Sequence, residues 1–96
     1  MYFIIHAIDV DDALPRRLAN YGAHKAYLEQ TNREGKVHIV MSGPLVQDDG
    51  ETMRGSFFLL EAENRQRVQA FHEADPFKHA GIWAQVSISA FLRRQG

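Results

Sequence analysis

Two residues far apart in the chain carry most of the chemical interest. They are His24 and Asp75, the latter within the run Ala74-Asp75-Pro76-Phe77. An imidazole is the side chain best suited to moving protons at neutral pH, because its unperturbed pKa is about 6.5. A carboxylate bonded to one ring nitrogen fixes tautomer and orientation, and leaves the other nitrogen to take the proton. Such a pair can remove a proton beside a carbonyl, or return one to a neighbouring carbon, with no nucleophile. Both residues also have plainer roles. A buried imidazole often just finds a hydrogen bond, and Asp before Pro is common turn chemistry. Two classes therefore stand: a small acid–base enzyme, or a non-catalytic ligand-binding or assembly module in which the pair holds a turn against a helix. A contact between the two that opens onto a pocket favours chemistry; a sealed contact favours structure.

The rest of the chain narrows the field. It has no cysteine, and its 96 residues carry a net charge of -1 with acidic and basic residues interspersed. There is no basic stripe for nucleic acid or an anionic membrane. No apolar run approaches the ~20 residues of a membrane span. The absence of cysteine suits a reducing cytoplasm. Ser42 lacks the Gly-x-Ser-x-Gly setting of an activated nucleophile. The histidines lack a spacing that argues for a metal. Neither metal nor cofactor is expected, and a small molecule is the expected ligand.

The elements that must position His24 and Asp75 follow from periodicity. Residues 2–8 read as a strand, with Tyr2, Ile4, His6 and Ile8 on one face and Phe3, Ile5 and Ala7 on the other. Asp9-Val10-Asp11-Asp12 offers turn and cap chemistry, and Pro15 suits a first helical turn. A helix is predicted over about 13–34, with a bend allowed at Gly22. Leu14, Leu18 and Tyr21 define its inward stripe, and His24 continues that stripe. Strands are predicted at 36–46 and 53–62. Asn64 caps a helix at about 64–73. Asp75-Pro76 stops that helix, Phe77 to Gly81 form a turn, and a last strand covers 83–92. There Trp83 and Phe91 share one face.

The order β-α-β-β-α-β predicts an α+β, ferredoxin-like fold in a single domain over 1–96: a four-stranded antiparallel sheet, order 4-1-3-2, with the helices on one face. The two strands that read as apolar on both faces are then central. The face without helices needs a cover, which predicts a homodimer packed through the sheets.

Several short segments also carry a resemblance. Met1 to Ala7 opening as a strand, Arg17 to His24 in a helix, Met41-Ser42-Gly43-Pro44-Leu45 closing the second strand, and Ala74-Asp75-Pro76-Phe77 followed by Ala80-Gly81 resemble the YCII-related family. The resemblance implies a dimeric α+β barrel and an acid–base site in which His24 and Asp75 are the catalytic pair. Ser42, Gly43, Pro44 and Phe77 are then candidates for binding substrate. The Gln47 to Thr52 loop is shorter than in many members, which carry glycine-rich loops there.

Overall fold

A computed structural model describes residues 1–96. The chain runs β1 (Tyr2–Asp9), α1 (Leu14–Glu34), β2 (Val37–Val46), β3 (Met53–Ala62), α2 (Arg65–Glu73), α3 (Pro76–His79) and β4 (Trp83–Phe91). The sheet order is β2-β3-β1-β4 and every pairing is antiparallel. Read from the other edge, this is the predicted 4-1-3-2 order.

Topology places the most apolar strands at the centre. Phe3 and Ile5 of β1 and Phe58 and Leu60 of β3 are at most 2% exposed and meet Val68 and Phe71 of α2. Each such side chain stabilises the fold by roughly 1.5–3 kcal/mol on burial. The opposite sheet face has no helix over it. It carries half-buried Ile4, Phe57 and Leu59, with Met41 and Phe91 exposed.

Four local readings are corrected. First, α1 is one uninterrupted 21-residue helix through Gly22. A single glycine costs about 1 kcal/mol, and the surrounding Ala19, Ala23, Ala26 and Leu28 offset it. Second, Asp11 and Asp12 do not cap α1: its N-cap is Ala13, with no side-chain cap, and Asp12 takes a left-handed φ of 56°. Third, Leu14, Leu18 and Tyr21 are 51%, 66% and 58% exposed, while Arg17 and His24 form the buried face of α1. Arg17 turns inward because Asp9 is there to receive it, and this rotates the helix. Fourth, a register shift at Ile8/Asp9 brings Asp9 opposite Trp83, not Ala84. The bulge flips Trp83 onto the helix side, away from Phe91, where it stacks on His72.

Residues 76–79 also form a short helix where a simple turn was expected. Asp75 is its N-cap. Its backbone is extended (φ -67°, ψ 128°), as the following proline demands.

Candidate active site

Arg17 and His24 lie seven residues apart on α1, two helical turns, and so project from the same side. Asp75 reaches that side from the α2–α3 junction. His24 Nδ1 lies 2.7 Å from Asp75 Oδ1. The same oxygen accepts the Phe77 backbone N–H at 2.9 Å. A carboxylate only accepts, so Nδ1 carries the proton and Nε2 of the neutral ring holds the lone pair. No protein group bonds Nε2. The ring lies flat on Phe77, centroids 3.9 Å apart and planes 4° from parallel, and meets Phe58 edge-on at 6.1 Å. Three contacts thus hold the imidazole, and Asp75 behind it is fully buried.

The pair is not sealed. His24 forms part of the wall of a cavity of about 270 Å³ between α1 and the ends of β2 and β3. Ser42, Gly43, Pro44 and Phe77 line the same cavity. All six candidate residues therefore converge on one place, although no hydrogen bond links Ser42 to His24. A wider groove of about 440 Å³ lies between the end of α1 and the start of α2 and holds no histidine.

Sequence reasoning missed Arg17, Lys25 and Ser56, which also line the cavity. Arg17 is 5% exposed. Its Nε donates to Asp9 Oδ2 at 2.7 Å, and the two hydrogens of Nη2 are shared among Asp9 Oδ1 at 2.9 Å, Gly55 O and Ser56 Oγ. Trp83 Nε1 donates to Ser56 Oγ at 3.1 Å. The available signal was the spacing of Arg17 from His24, together with an acidic residue at the end of β1.

Two neighbours of the site have shifted proton affinities. Burial, with the Asp75 carboxylate nearby, pushes the Tyr27 phenol above its ordinary range; its hydroxyl donates to Phe71 O at 2.7 Å. Burial pulls His72 below the ordinary histidine value, and its Nδ1 has no partner. No three His, Cys, Asp or Glu side chains converge as metal ligands would.

A YCII-related domain matches residues 1–92 of the chain. The chain belongs to the YCII-related family. It is 32% identical over 98 residues to protein YciI of Escherichia coli O6:H1, covering 97% of this chain and 98% of that one. It is 30% identical over 96 residues to an uncharacterised protein of Haemophilus influenzae, with the same coverage. Among solved structures, this YCII-related chain is similar to the 5-chloro-2-hydroxyhydroquinone dehydrochlorinase of Burkholderia phenoliruptrix in complex with 2,5-dihydroxybenzoquinone. That match has a TM-score of 0.83 and 36% identity, and covers 98% of this chain and 96% of that one. A protein of Arabidopsis thaliana, at 14% identity and TM-score 0.52 over 99% of this chain and 96% of that one, shares the fold. No helix is long and apolar enough to cross a membrane.

Proposed function

We propose that this YCII-related chain is a cofactor-independent acid–base enzyme acting on a small cyclic metabolite by proton transfer coupled to elimination or isomerisation. One observation carries the reading: the His24–Asp75 contact at 2.7 Å lies on the wall of an open cavity, with Nε2 unpartnered. In the forward step Nε2 takes a proton from a C–H or O–H of the ring. The electron pair left behind forms a new double bond, and a leaving group departs with its own bonding pair. In isomerisation the same proton returns to another carbon. Asp75 holds the ring and faces the charge that forms on it. Ser42, Gly43, Pro44 and Phe77 shape the binding wall. The dehydrochlorinase neighbour, 36% identical, supports elimination of halide from a hydroxylated ring as the first reaction to assay.

The competing reading, a binding or assembly module, draws on the cap that Asp75 supplies to α3. A single experiment separates the two. Chloride release from chlorinated hydroxyhydroquinones is followed with wild-type protein and with His24→Ala. The enzyme reading expects release that falls at least ~100-fold in a variant with an unchanged circular-dichroism spectrum. Unfolding of the variant, or undiminished release, favours the structural role.

The functional unit is a homodimer packed through the open sheet face, where Ile4, Phe57 and Leu59 await a cover. Phe57→Asp is expected to halve the mass seen in sedimentation. The zero-cysteine composition supports a cytoplasmic location, which cell fractionation checks.

A further inference from the structure

The cavity wall carries a chemical bias that the His24–Asp75 pair does not explain. Its charged members are Arg17 and Lys25, and no Asp or Glu lines it. The whole chain is slightly acidic, with 12 carboxylates against 11 Lys and Arg, so this asymmetry is local. Asp9 stands behind Arg17 and takes Nε and Nη2. Nη1 has no protein partner. Lys25 is exposed and joins no ion pair.

Ser56 adds a second argument. A hydroxyl has two acceptor sites and one donor. Trp83 Nε1 donates to Ser56 Oγ at 3.1 Å, and Arg17 Nη2, whose two hydrogens are shared among Asp9 Oδ1, Gly55 O and Ser56 Oγ, lies 2.9 Å away; neither nitrogen can accept the hydroxyl proton. Ser56 is 4% exposed and no protein acceptor receives its proton. Two donor neighbours thus leave the proton of this hydroxyl free to be given elsewhere, on a residue that lines the cavity. N–H from Arg17, O–H from Ser56 and the free charge of Lys25 together form a donor patch on a wall that also carries the acceptor Nε2 of His24. Such a patch suits an oxyanion. The volume, about 270 Å³, suits a single ring against Leu28, Pro44 and Phe58.

We infer that the cavity selects a small ring bearing an ionised oxygen, a phenolate or enolate, held by Arg17 Nη1 and the Ser56 hydroxyl, with Lys25 at the rim. This rests on the proposed acid–base reading only for which carbon faces His24 Nε2; the anion preference stands on the wall itself. An anchored oxyanion would present the adjacent ring carbon for proton transfer and feed electrons toward the bond that breaks.

The test uses para-nitrophenolate and its neutral isostere para-nitroanisole, titrated by calorimetry into the full-length protein. The phenolate is expected to bind at least about tenfold more tightly than the anisole. Ser56→Ala and Lys25→Glu are each expected to cut that preference several-fold while leaving anisole binding unchanged. Lys25 is exposed, so its variant tests the charge without disturbing the fold. Arg17→Lys, which keeps the charge opposite Asp9 but loses the fork, is expected to abolish the preference. Equal binding of the two probes, no measurable phenolate binding, or a preference unmoved in Ser56→Ala and Lys25→Glu overturns the inference. His24→Ala is expected to retain the preference while losing turnover. Loss of chloride release with an intact phenolate preference in wild type would sink only the enzyme reading; His24-dependent release without the preference would sink only this inference.

Discussion

His24 and Phe77 lie face to face, their ring centroids 3.9 Å apart and their planes within 4°. The residue two positions before Phe77 is the carboxylate that bonds the imidazole. One turn of chain therefore fixes His24 twice, by a hydrogen bond in the ring plane and by an aromatic surface beneath it. Phe77→Leu removes the surface and keeps the hydrogen bond. Loss of a stacked pair and of close packing is expected to destabilise by about 1–3 kcal/mol. Turnover is expected to fall several-fold, and KM to rise as well because Phe77 lines the cavity, as measured by urea unfolding and steady-state kinetics. Unchanged kcat would show that the hydrogen bond alone orients the ring.

Asp75→Asn keeps an oxygen for both the Phe77 N–H and His24 Nδ1 but removes the charge. The fold is expected to persist, with turnover reduced at least ~10-fold because no anion faces the imidazolium. Asp75→Ala also loses the α3 cap, which costs about 1 kcal/mol. Comparing the two variants by thermal melting and by rate separates cap from chemistry. If Asn costs as much stability as Ala, the carboxylate serves mainly to hold the turn.

Acid is expected to weaken the fold through His72. Burial lowers its proton affinity below the ordinary value of 6.5, more than the nearby Glu73 and Asp75 charges raise it. The unfolded chain therefore binds this proton at a higher pH than the folded one. Stability from this residue is complete above pH 6.5 and declines as pH falls toward the depressed folded value. His72→Gln is expected to flatten that part of the urea-midpoint profile. An equally steep profile in the variant would assign the acid sensitivity elsewhere.

Gly55 is a position where only hydrogen fits. A Cβ there would lie 2.2 Å from Ala7 O and 2.9 Å from Leu45 Cδ1. Gly55→Ala must push β3 away from β1 and is expected to cost about 1–3 kcal/mol in urea unfolding. Because Gly55 O also receives Arg17 Nη2, the same variant is expected to loosen the cavity wall. A neutral effect on stability would mean that the central strands yield easily.

The topology was legible because β1 and β3 are apolar on alternate residues of both faces, and only central strands tolerate that. His24 and Asp75 were legible because an imidazole and a pre-proline carboxylate are conspicuous in a chain with little other chemistry. The orientation of α1 was not. Periodicity assigns Leu14, Leu18 and Tyr21 inward, and Arg17 takes that side instead because Asp9 meets it there. Trp83 was misplaced for a different reason: alternation counts residues, and the bulge opposite Ile8/Asp9 inserts Ala84 as one extra residue in β4. Ser56 was unreadable, since what leaves its proton free is the pair of donors that distant residues bring to it.

The proton acceptor and the guanidinium stand on one continuous helix, seven residues apart. At 1.5 Å per residue that sets their backbones about 10 Å apart along the axis. A rigid rod of this kind acts as a ruler. Changes in β2 or β3 can reshape the opposite wall without altering the span between the two groups. Matching a longer molecule would require moving one of them by a whole turn, so reach along α1 is expected to change in steps.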